Sequence, residues 1–139
     1  GIIDSKGVVG IVKDVSENFA TVYSILNSKT TINAKLGSSG STGIANWDGK
    51  NYQYGNLDFI PSHIELHIGD TIFTSGNSSI FPEGMPLGYV EDFQLKPGES
   101  FYNIKFKYST DYNKLQHVYV IINLMKDELE EIEEGEDNE

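Results

Sequence analysis

Gly69-Asp70-Thr71-Ile72-Phe73-Thr74-Ser75-Gly76-Asn77-Ser78-Ser79-Ile80-Phe81-Pro82-Glu83-Gly84-Met85-Pro86-Leu87-Gly88-Tyr89-Val90 is the stretch on which the reading of this chain turns. Thr71 to Thr74 are β-branched or aromatic and suit a pleated, half-buried strand. Ser75 and Gly76 break that run. Pro82 and Pro86 lack a backbone donor and push the residue before them out of the helical region, so the segment is a loop and not a helix. Gly76, Gly84 and Gly88 are positions where positive φ costs little. Ile80, Phe81, Met85 and Leu87 then belong to a tightly turned apolar loop, and Gly88-Tyr89-Val90 restarts a strand.

The flanking sequence is of the same kind. Residues 1–6 read as a lead-in, and strands are expected at 8–12, 19–26 and 30–36, separated by short polar turns. Gly37 to Gly43 is a flexible polar loop. A hairpin follows from Ile44, turning at Asp48-Gly49, with β pattern resuming at 52–54 and 57–60. Residues 61–68 have room for one short turn of helix. Tyr102 to Tyr108 alternates apolar and polar, the pattern of a half-buried antiparallel strand. His117 to Leu124 is nearly continuous and apolar, which suits a final, central strand. Ten to twelve short strands, with no helix of normal length before residue 125, make the class all-β, a barrel or a sandwich.

The 139 residues suit one domain, or two very small ones sharing a core. There is no Cys, which removes disulfides, thiol catalysis and Cys-based zinc sites. The net charge of −11 is concentrated at the C-terminus: residues 126–139 hold nine acids and one Lys, leaving twelve acids and nine Lys in the body. That tail is expected to be a fraying helix and then disordered. All ten cationic residues are Lys, and the absence of Arg with an acidic balance argues against nucleic-acid binding. No run in these residues approaches the roughly 20 apolar residues that span a bilayer, and residues 1–6 do not read as a signal peptide.

Each chemical motif has a plainer reading beside it. Gly37 to Gly43 is Gly/Ser-rich, yet Ile44 follows where a phosphate loop needs Lys and then Ser or Thr before a helix. His63 and His67 are four apart, but two ligands are too few for zinc. His117 reads as a strand-end residue. Ser75 lies in Thr-Ser-Gly, but no base and orienting acid are in register with it, so local turn bonding is the expected role. Asp70 reads as a turn carboxylate. Glu91 and Asp92 are adjacent and point to opposite strand faces, so they make a poor carboxylate pair. Asp48-Gly49-Lys50 fails the calcium-loop spacing. Trp47, Tyr52 and Tyr54 cluster around one hairpin, either as barrel filling or as an aromatic patch for a protein partner. An unpaired edge strand is a second way to take a partner.

The pattern Gly69-Asp70, Thr74-Ser75-Gly76, Phe81-Pro82, Gly84, Gly88 and Val90 resembles the rod shape-determining protein MreC family. Gly7-Val8-Val9-Gly10-Ile11-Val12 resembles that family's opening strand. Gly43-Ile44, Trp47-Asp48-Gly49 and Ile60-Pro61 match its middle, and Asp111-Tyr112, Leu115 and Val118-Tyr119-Val120 its end. The resemblance covers residues 7–125. It implies two small antiparallel β-barrels side by side, about six strands each. One would span 8–60, inserted into a second made of 1–7 and 61–125, with 126–139 as the acidic tail. It assigns structural roles to Gly69, Asp70, Thr74, Ser75, Gly76, Phe81, Pro82, Gly84 and Gly88, and no cofactor.

The resemblance also implies a function: a non-enzymatic scaffold of cell elongation at the extracytoplasmic (periplasmic) face of the inner membrane. Its implied partners are a class B penicillin-binding transpeptidase, MreD, MreB, RodZ and RodA. The chain then reads as an excised fragment of a protein that is anchored by an upstream transmembrane helix and dimerises through a coiled coil. Two other classes stay open on the same sequence: a periplasmic adaptor barrel of an efflux assembly and a serine-hydrolase-like double barrel.

Overall fold

Alternation sets the inside of this protein. Along Asn103–Tyr108, Ile104, Phe106 and Tyr108 are buried while Asn103, Lys105 and Lys107 are exposed. The computed structural model describes residues 1–78, 80–115 and 117–121, and all the regular structure there is β. The acidic tail and the end of the last expected strand lie outside those residues.

Among the described residues there are ten strands: β1 (Ile2–Asp4), β2 (Gly7–Val15), β3 (Ala20–Ser24), β4 (Ile32–Leu36), β5 (Thr42–Asn46), β6 (Tyr54–Asp58), β7 (Thr71–Thr74), β8 (Pro86–Gln94), β9 (Asn103–Tyr108) and β10 (Tyr119–Val120). Six of them close into an antiparallel barrel in the order β4-β5-β6-β9-β8-β7. The other four form an open sheet, β10-β1-β2-β3. Closure needs strong bending, and the ladders supply it with irregularities. The register shifts between Ile72 and Phe73 where β7 meets β8, and between Val90 and Asp92 where β8 meets β9.

The barrel holds most of the core. Leu36, Leu57, Ile60, Ile72, Leu87, Val90 and Phe106 are each essentially inaccessible. The sheet adds Val8 and Ile25 to the same cluster. The two units are tied at a polar seam. The Tyr112 hydroxyl donates to the Val8 carbonyl at 2.9 Å, and the Thr110 hydroxyl lies 3.2 Å from Asp4 Oδ1 and 3.3 Å from the same carbonyl. Gly7 has no room for a side chain at this seam: a Cβ there would lie 2.4 Å from the Pro86 carbonyl oxygen.

The structure differs from the sequence expectations at four points. The lead-in contains β1, which pairs with both β2 and β10; three residues are too short a run to show a period. The expected boundary at residue 60 falls inside the barrel, because β4 pairs with β7 and β6 pairs with β9 across it. Residues 7–24 belong to the open sheet, and 32–58 to the barrel. Beside the barrel the described residues form that second sheet, so the two side-by-side antiparallel β units expected from the resemblance are present. The last strand is an outer one among the described residues, with Tyr119 and Val120 exposed. Leu87 lies inside β8 and not in the loop, since Pro86 already occupies a strand-start position where no donor is needed.

Candidate functional site

The loop between β7 and β8 is built on one hydroxyl. Thr74 is buried, its Oγ1 donates to the Pro82 carbonyl at 2.7 Å, and the same atom accepts from the Met85 amide at 2.9 Å. Its main chain completes the clamp: Thr74 N donates to Met85 O, and Gly84 N donates to Thr74 O. Gly76 (φ 77°) and Gly84 (φ 92°) take the left-handed backbone that lets the chain double back. Gly88 does not. It is needed because a Cβ there would lie 2.3 Å from the Lys107 carbonyl oxygen of the neighbouring strand. Phe81 is buried as the loop's apolar plug. Pro82 and Glu83 are exposed at its tip, and Glu83 forms an ion pair with Lys35 on β4 that holds its carboxyl below the usual carboxylate range.

The neighbouring polar residues are likewise occupied with turns. Asp70 Oδ2 accepts from the His67 amide at 2.9 Å, and the Asp70 carbonyl accepts from Val90 N. Ser75 Oγ accepts from the Asn77 amide at 3.3 Å, which makes it a turn residue. His67 Nε2 sits 3.2 Å from Glu65 at an exposed position. Among the described residues, no group of three or more His, Asp or Glu is placed to hold a metal ion.

The three residues of the aromatic trio make separate contacts. Trp47 packs partly against the core and its indole N–H donates to the Asn51 carbonyl at 2.9 Å, stapling the hairpin loop. Tyr54 lies under Lys105, whose ammonium is 4.2 Å from the ring centroid. Tyr52 is the most open, and its hydroxyl accepts from Asn113 Nδ2 at 2.6 Å. Two other surface groups went unnoticed in sequence. Phe19, Val22 and Tyr23 are exposed on or beside β3, and Phe59 and Phe101 stand out from the barrel in edge-to-face contact at 5.7 Å. Nothing in the local sequence around Phe59 signals its outward turn, since an aromatic one residue past a strand ordinarily faces in.

Comparison with known proteins agrees with this arrangement. The family described as "Rod shape-determining protein MreC, barrel core" matches residues 1–122. The cell shape-determining protein MreC of Haemophilus influenzae is 27% identical over 120 residues, covering 86% of this chain and 34% of that protein. Its Escherichia coli counterpart is 24% identical over the same length, covering 86% of this chain and 32% of that protein. The chain thus spans about a third of these relatives.

Among solved structures, MreC from Pseudomonas aeruginosa shares the fold with a TM-score of 0.80 at 22% identity, over 87% of this chain and 77% of that one. MreC in a complex with penicillin-binding protein PBP2 from Helicobacter pylori shares it with a TM-score of 0.65 at 21% identity, over 85% of this chain and 73% of that one. With the family match running through both the open sheet and the barrel, the chain belongs to the rod shape-determining MreC family, of which it carries the barrel core.

Proposed function

We propose that this domain is a non-enzymatic scaffold of the cell-elongation machinery that binds a class B penicillin-binding transpeptidase and biases it toward its active state. The observation that carries the reading is family membership, joined to a structural neighbour that was solved together with PBP2. The loops support it. Thr74, Ser75 and Asp70 spend their polar atoms on closing turns, which is the use a rigid display scaffold makes of them. Activation in this reading is a population shift: the scaffold binds one conformation of the synthase better than another.

On this reading the domain works at the extracytoplasmic face of the inner membrane, tethered by an upstream helix and dimerised through a coiled coil. MreD, MreB, RodZ and RodA are the remaining members of the assembly. The rival hydrolase reading makes a different claim about Ser75, and labelling with an active-site fluorophosphonate separates them: no labelling is expected. The direct test is biolayer interferometry of this domain against the periplasmic region of the same organism's elongation transpeptidase. Saturable binding at micromolar Kd, about −8 kcal/mol, is expected. No binding at high micromolar concentration, with the upstream coiled coil restored, sinks the proposal.

A further inference from the structure

Phe59 is the one non-glycine among the described residues with positive φ, at 70°. The cause is a bulge. Leu57 pairs with Ile104 and Pro61 bridges to Phe101, so one side of the ladder carries an extra residue. A bulge residue with this backbone is usually glycine. The strain is held from both flanks. Leu57 and Ile60 are buried without residual exposure, Tyr102 N donates to Ile60 O at 3.0 Å, and Ser62 N donates to Ser100 O at 2.9 Å. The extra residue flips the inward–outward parity, so Ile60 enters the core and the Phe59 ring is turned to solvent, 56% exposed. Phe101 stands beside it, 45% exposed. A bulky aromatic in a glycine conformation thus keeps an edge-to-face contact with Phe101 and leaves more than half of its surface to water.

The surroundings indicate what would cover the pair. The shallow depression that holds both rings is also lined by Asp58 and Glu99, and the depression adjoining it by Asp92. None of the three carboxylates forms an ion pair among the described residues. They accept instead from neutral groups: Asp58 from Asn46 Nδ2, Glu99 from Asn103 Nδ2 and Asp92 from Phe93 N. The cations on the same elements are Lys96, in the turn before Glu99, Lys107, near the far end of β9 and outside both depressions, and Lys105, which lines the adjoining depression beside Asp92 with its ammonium over the Tyr54 ring. The patch is therefore an apolar centre with an anionic rim.

We infer that the Phe59–Phe101 pair, turned outward by the left-handed bulge and rimmed by Asp58, Glu99 and Asp92, is the docking point for a segment of the partner transpeptidase that presents an apolar side chain beside Lys or Arg. The inference rests on the transpeptidase-binding reading above and names its surface. Buried aromatics at an interface centre carry most of the binding energy, while a charged rim sets on-rate and salt dependence.

The experiment uses the same interferometry with Phe59→Gly, Phe101→Ser, Trp47→Ala and the double variant Asp92→Asn/Glu99→Gln. Glycine accepts the left-handed backbone, so Phe59→Gly is expected to melt at or above the wild-type Tm while its Kd rises at least about tenfold. Phe101→Ser is expected to weaken binding similarly. The double variant is expected to lower the on-rate and flatten its dependence on ionic strength. Wild-type Kd in both phenylalanine variants overturns the inference and leaves the functional reading standing, and a loss confined to Trp47→Ala moves the surface to the hairpin. A Phe59→Gly variant that melts well below wild type, with binding kept by Phe101→Ser, also overturns it. Absence of binding by every form, wild type included, removes the functional reading and this surface with it.

Discussion

The barrel and the open sheet use the same kind of strand and bury it differently. In β9 every second residue is inside, whereas four of the five residues of β3 are exposed. A closed barrel gives each strand two hydrogen-bonded neighbours and an interior made by its own curvature. The open sheet has no interior of its own. It buries Ile2, Val8, Val9 and Ile25, with Val8 and Ile25 joining the barrel's core cluster, and leaves Val15, Phe19, Val22 and Tyr23 on its far end in water. Stability should therefore be concentrated in the barrel, and adaptability at the free edge of the sheet.

The sharpest way to break that contrast is to empty the barrel. Phe106→Ala removes a ring with no exposed surface and is expected to cost about 3–5 kcal/mol in urea denaturation followed by circular dichroism. The loop clamp comes next. Thr74→Val keeps the shape but strips the partner from Met85 N and Pro82 O, with an expected loss of about 1–3 kcal/mol by the same measurement.

Two tyrosines then sharpen the comparison between interior and seam. Tyr112→Phe deletes the bond to the Val8 carbonyl that ties sheet to barrel, and about 1 kcal/mol should be lost. The Tyr108 hydroxyl is buried without a partner among the described residues, lying over Gly55, so Tyr108→Phe should leave stability unchanged or raise it by about 1 kcal/mol. Burial pushes both phenols above the ordinary tyrosine value. The folded state then keeps protons that the unfolded chain releases above about pH 10, so stability is full below that pH and falls as pH rises through it. Thermal melts from pH 8 to 11 should show the decline, and Tyr112→Phe should shallow it. The smallest effect is expected at the sheet's edge: Val22→Ala, in a half-open position, should change stability by less than about 0.5 kcal/mol. A cost there approaching that of Phe106→Ala would mean that the open sheet is as tightly built as the barrel.

Much of this was legible residue by residue. The alternation of 103–108, the strand at 71–74 and the proline-glycine punctuation of the following loop each appear where local chemistry put them. Asp70 and Ser75 accept from the amides of His67 and Asn77, the local bonding that short polar side chains next to a break ordinarily make. Gly88 was misread for a physical reason. A glycine demanded by positive φ and one demanded by a neighbouring carbonyl look identical until the neighbour is known. The Trp47, Tyr52 and Tyr54 cluster was found, but only the structure showed that Trp47 staples its own hairpin and Tyr54 lies under Lys105.

By itself, then, the sequence determined the β class, most strand positions, the turn chemistry and, through an ordered set of motifs, the family. Those are properties of runs of a few residues and of their spacing, which the chain carries without folding. Only the tertiary structure decided which strands share the barrel, that residues on both sides of position 60 belong to one unit, and that Phe59 faces outward. These depend on pairings between segments as far apart as β4 and β7 or β6 and β9, and on a one-residue surplus in a ladder. Such quantities exist only once two distant stretches have met.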